Sequence, residues 1–180
     1  MDYARALIWR VKDSSRWPSF ERGDFLDKLD ALAAKAFSTK TTFGYLAAVL
    51  IYHQLCEEMI GLLIRDSEFF IQLSIFPTEI HFRQRKKYMF GRLLEDLKST
   101  IEFEHKKDII QKAEQLNTIR IQIVHGLTKR TSLKEIRGNA LKMKRLYEGI
   151  YRDFDEALDW FRLCFKDFKK DIDWDDYLEN

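Results

Sequence analysis

The sequence predicts an all-α fold, a single-domain antiparallel helical bundle closed by a long C-terminal helix, and three observations predict it. Only seven glycines and two prolines punctuate 180 residues, so few positions interrupt a helix. The segments between them are rich in Leu, Ala, Lys, Glu and Arg, all good helix formers. Apolar residues recur at alternating three and four residues, most regularly in the last third of the chain. With 46% hydrophobic and 33% charged residues, the chain has the balance of a folded domain with a sizeable core, which excludes a disordered tail protein.

The elements follow in order. Residues 1–23 are expected as an N-terminal extension, a short helix followed by the loop-like patch "DSSRWPSFERGD", in which Ser, Pro and Gly cluster. Asp24 can cap a helix running to about Phe37, because Phe25, Leu29, Leu32, Ala33 and Ala36 recur at helical spacing. Thr41 or Thr42 opens a longer helix to about Asp66, whose first half is apolar nearly all round, as suits the centre of a bundle. "SEFFIQLSIFPTEIHF" permits a strand by its aromatic and β-branched content, but no partner strand is evident; an irregular crossover with some helix is expected over 67–82.

Beyond the crossover, Phe90, Leu93, Leu94, Leu97 and Ile101 mark an amphipathic helix, and Ile109, Ala113, Leu116, Arg120 and Ile123 mark the next. Ser132 and Glu135 have capping-box spacing. After them Ile136, Ala140, Met143, Tyr147, Ile150, Phe154, Ala157, Phe161, Phe165 and Phe168 form one stripe, on one very long helix or on two joined near Gly138. That seam suits packing within the bundle, and a dimer seam is also allowed. Residues 170–180 are expected as an acidic tail.

The net charge of +2 does not by itself argue for nucleic acid, but its distribution is uneven. Arg83, Arg85, Lys86, Lys87 and Arg92 fall within "RQRKKYMFGR", which holds no acid, whereas "DIDWDDYLEN" holds five acids and no cation. Arg83, Arg85, Lys86 and Lys87, with Lys129 and Arg130, are the candidate RNA-backbone contacts, against an ordinary solvated surface. Cys56 and Cys164 lie far apart in apolar helical patterns and are expected as reduced thiols. His53 and Glu57 make a two-ligand set at best, so no metal is expected. No Gly-rich phosphate loop, nucleophilic Ser context, zincin or kinase string is present, and no cofactor is expected. The most apolar run, "FGYLAAVLIY", has about half the length of a membrane span, and no signal-like stretch opens the chain; a cytoplasmic location without membrane association is expected.

The stretch "LNTIRIQIVHGLTKR" carries most of the functional information. Arg120 falls on the stripe that faces the core, where a guanidinium must find a partner or an anionic ligand. His125 falls five positions later, directly before Gly126. Metal-free RNA cleavage needs a base for the ribose 2′-hydroxyl, an acid for the leaving 5′-oxygen and positive charge on the phosphorane. Histidine supplies the proton transfers near neutral pH, and arginine supplies a bidentate phosphate clamp. One histidine cannot act as both base and acid at once, whereas a two-fold dimer that brings two pairs to one cleft supplies both. Five residues turn a regular helix by about 140°, which would point the two side chains apart, but Gly126 is well placed to end or loosen the helix, so His125 is expected at a helix terminus or bend. The structural alternative is that Arg120 pairs with Glu57 or Glu58, with His125 as a capping residue.

With Leu116, Asn117, Arg120, His125 and Gly126, "LNTIRIQIVHG" resembles the HEPN superfamily, whose mark is an Arg and a His separated by four to six residues, commonly as L-N-x-x-R-N-x-x-x-H-G. The likeness extends more loosely over "MFGRLLEDLKSTIEF" and the late long helix. It implies a helical bundle, a homodimer and a metal-independent endoribonuclease of toxin–antitoxin or phage-defence type, with Arg120 and His125 catalytic and an antitoxin or other protein as partner. Other members have lost catalysis, so a non-catalytic helical interaction or nucleotide-binding module is the alternative. The residue after the Arg, commonly polar in active members, is Ile121 here. The tyrosine that some members present two positions after the His for nucleotidyl modification is Leu127, so that regulation is not expected.

Overall fold

A computed structural model of the chain describes residues 3–82, 89–127 and 134–171. It is a helical bundle of α1 (Tyr3–Lys12), α2 (Gly23–Ser38), α3 (Thr42–Ser74), α4 (Phe90–Lys98), α5 (Lys106–Gly126) and α6 (Lys134–Asp171), with a 3-10 turn at Ser14–Arg16 and no strand among the described residues.

Two long helices carry the core. The stripe from Ile136 through Phe165 on α6 is buried at every position named above, and Phe168 packs against it. α6 is one uninterrupted helix of 38 residues, with Gly138 inside it. Its stripe is spent on α3 and α5, so it is not free to form a seam with a second chain.

α3 fills the centre of the bundle and packs chiefly on α6 and α2. It is long and apolar enough to cross a membrane by length and composition, but most of its apolar window is buried inside the bundle. The helix runs eight residues past Asp66, where its end was expected. Phe69 and Leu73 extend its buried face, and no Gly or Pro intervenes before Pro77, so nothing stops it. Thr41 is the N-cap, its Oγ1 accepting from the Gly44 N–H at 3.0 Å. Asp24 lies within the first turn of α2 and Arg22 occupies the cap position. Ala33 is fully buried there, with Leu29 and Ala36 packed on the core, while Phe25 and Leu32 remain exposed.

Residues 3–22 are built into the bundle. Leu7, Ile8 and Val11 of α1 are buried, and Arg162 of α6 donates to the Pro18 carbonyl at 2.6 Å and to buried Asp66 at 2.8 Å. Burial raises the Asp66 carboxyl to about 6 against the opposing pull of Arg162.

The α4–α5 corner sets the frame of the candidate site. Buried Lys106, at the start of α5, donates from Nζ to the Lys98 carbonyl at 3.1 Å and to that of Thr100 at 2.8 Å, satisfying oxygens left open at the end of α4. Leu94 and Leu97 hold α4 on the core from the other side.

Candidate functional site

Arg120 and His125 line one groove of about 620 Å³, whose floor and walls come from three helices. α3 supplies His53 and Glu57, α5 supplies Asn117, Arg120, Ile121 and His125, and the start of α4 supplies the opposite wall from Met89 to Arg92, with Glu95. α5 stays helical through Gly126, and no glycine among the described residues has a positive φ. His125 therefore lies in the last turn of α5, at the helix terminus that was one of its two expected placements, and the helix stays regular between Arg120 and His125. On a regular helix Arg120 and His125 stand at the two edges of an arc of about 140°, with Asn117 and Ile121 between them. All four line the groove.

Arg120 is half-buried, and its Nε is buried without a hydrogen-bond partner. Of the two acids considered as its partners, Glu58 is exposed, and Glu57 shares the groove. Neither forms an ion pair with Arg120 within 4 Å among the described residues. Glu57 instead accepts from Gln54 Nε2 at 2.5 Å and lies 3.9 Å from His53 Nδ1. Burial raises the Glu57 carboxyl, while the Gln54 bond and the Arg120 charge act in the opposite direction.

His53 is buried on the groove floor, its ring 4.5 Å from that of Phe90. Burial lowers it to about 4, and the Arg120 charge adds to that, against the bond to Asn117. At neutral pH the ring is therefore uncharged and donates from Nε2 to Asn117 Oδ1 at 3.4 Å. This ties the motif asparagine to α3.

The wall at α4 was not legible in the sequence. Met89 is the N-cap of α4, no side-chain cap bond is found there among the described residues, and the first turn, with Gly91 and Arg92, lines the groove that Arg120 enters. The signal that could have found it is a helix start with no Ser, Thr, Asp or Asn before it, directly after a basic run. Arg92 also bonds toward Asp96 at 3.6 Å. The groove thus holds two arginines against two glutamates, with His53 neutral.

A shallower concavity of about 790 Å³ adjoins the groove, sharing Ile121 and His125 and bounded by Asn139 and Lys142 of α6. Arg83, Arg85, Lys86, Lys87, Lys129, Arg130 and the Ser132 cap lie outside the described residues. Both segments nevertheless join the described chain close to the groove, one at Met89 and the other two residues after His125.

No family model, curated protein or solved structure matches the chain. Its chemistry is therefore read from the site itself. Among the described residues, no group of three or more His, Cys, Asp or Glu side chains is placed to hold a metal ion. Cys56 is a buried free thiol raised by that burial, and Cys164 is half-buried and also free. What the groove offers is a half-buried guanidinium, an exposed imidazole at the rim and an apolar wall.

Proposed function

We propose that the chain is a HEPN-like RNA-binding protein that cleaves RNA without a metal, as a toxin–antitoxin or phage-defence endoribonuclease. It acts through a homodimer in which two Arg120/His125 pairs face one cleft. The observation that carries this reading is that Arg120 enters the same groove as His125 without an ion-pair partner, which leaves its charge for an anion. Arg120 clamps the scissile phosphate. One His125 removes the 2′-hydroxyl proton as the 2′-oxygen attacks phosphorus, and the partner subunit's His125 protonates the departing 5′-oxygen. The products are a 2′,3′-cyclic phosphate and a free 5′-hydroxyl.

The α6 stripe is consumed within the chain, so a second copy must dock elsewhere. Phe43, Ala47, Leu50 and Gln54 form an exposed stripe on α3 that leads to Glu57 at the groove, and this is the surface that suits the second chain. Arg83, Arg85, Lys86, Lys87, Lys129 and Arg130 supply the backbone track, because their segments meet the chain beside the groove. An antitoxin or other protein would cover the same cleft.

One observation favours the alternative of a non-catalytic nucleotide-binding or interaction module. Ile121 lines the centre of the groove, where active members of the superfamily carry a hydrogen-bonding residue. Incubation with single-stranded RNA in EDTA separates the two. Cleavage to 2′,3′-cyclic ends, reduced by ~100-fold or more in a folded His125→Ala protein, supports the enzyme, and Ile121→Asn should raise kcat. Arg120→Ala should be equally inactive. No cleavage by the parent or by Ile121→Asn, both folded and dimeric, would leave the module.

A further inference from the structure

Met89 is 85% exposed and Ile121 44% exposed, and both line the cavity that holds Arg120. Single exposed apolar side chains are ordinary. Two on different elements lining one groove, beside a guanidinium whose Nε is buried without a partner, call for a ligand with an anionic part and an apolar face close together. A nucleotide has both, and about 620 Å³ is ample for one.

The position of Ile121 adds a constraint. It stands between Arg120 and His125 on the exposed arc of α5, so whatever packs on it lies next to the group that Arg120 holds. Asn117 shares this centre, and because its Oδ1 is taken by His53, its amide N–H groups are left to donate to a base edge.

We propose that Ile121 and Met89 clamp one nucleobase of bound RNA, directly beside the phosphate held by Arg120. The inference rests on the RNA-binding role above and assigns these two residues as its binding contacts. Apolar side chains packed on the flat face of a base contribute through the surface they remove from water, and they tolerate any base because each base offers such a face. The substrate class that follows is unpaired RNA, since a base inside a duplex would have to give up its stacking and pairing to enter the groove, a cost that an unpaired base does not carry.

The test uses the full chain and a short single-stranded 2′-O-methyl RNA, which lacks the attacking hydroxyl, carrying one 2-aminopurine. Wild-type protein should bind it and raise the 2-aminopurine fluorescence as that base leaves its neighbours' stack. Met89→Ser and Ile121→Ser should each weaken binding by about 10-fold and abolish the rise, whereas Ile121→Met should restore both. An RNA abasic at that position should bind all four proteins equally. Variants that bind as tightly as wild type with the rise intact would overturn the clamp alone. A wild-type chain that binds neither this RNA nor any other single strand would overturn the RNA-binding role as well.

Discussion

His53 shows how burial decides the chemistry of a residue. With its folded value near 4 and an ordinary value of 6.5, it takes up a proton in the unfolded chain before it does in the folded one. Between those pH values the unfolded state binds more protons, so stability is full above pH 6.5 and is lost as pH falls toward 4. Asp66, raised to about 6, has the opposite sign and gains stability as pH falls through 6. A difference measurement isolates the histidine: folded His53→Gln should lose on the order of 2 kcal/mol less between pH 7 and pH 4.5 than wild type, by denaturant unfolding at both values. Equal losses would mean that His53 is not the neutral donor to Asn117. Arg120, His125 and Asn117 were legible because a local string carries them. Arg92 stood out only as the end of a basic run, and Met89 and Gly91 not at all, because what makes them wall residues is the packing of α4 against α3 and α5, which no local pattern encodes.

At the scale of elements, legibility followed periodicity. The α6 stripe was readable residue by residue, since a helix that packs on two neighbours must repeat its apolar positions without interruption. The end of α3 was misplaced because aromatic and β-branched residues, which suit strands, here continue a buried helical face through Phe69 and Leu73. The α2–α3 corner carries a requirement visible only in three dimensions. A Cβ at Gly44 would collide with the Ala36 carbonyl and the Thr39 hydroxyl, and the carbonyl belongs to backbone that cannot move aside. Gly44→Ala should therefore destabilise the protein by about 2 kcal/mol in chemical denaturation, despite Ala's better helix propensity. A neutral or stabilising result would mean that the corner is looser than the close approach indicates.

At the scale of the whole molecule, a net charge of +2 hides the feature that matters, which is where the cations are. If the two basic runs track an RNA backbone into the groove, binding should weaken steeply with salt, and Arg85→Ala with Lys86→Ala should reduce the slope of log affinity against log salt by about one unit per cation removed. An unchanged slope in a salt titration would return that run to ordinary surface. The helical architecture was legible from composition and spacing, while the proposed second copy follows only from a chemical need: one chain offers one Arg120/His125 pair, and the proposed cleavage would use two histidines.

That need is tested most directly by asking whether two copies of His125 face each other. His125→Cys in a Cys164→Ser background leaves the buried Cys56 as the other thiol, so a short bis-maleimide reports on position 125. The predicted result is a covalent dimer at micromolar protein, lost when single-stranded RNA fills the cleft. A strict monomer by light scattering, with no cross-linked species at any concentration, would contradict the composite site.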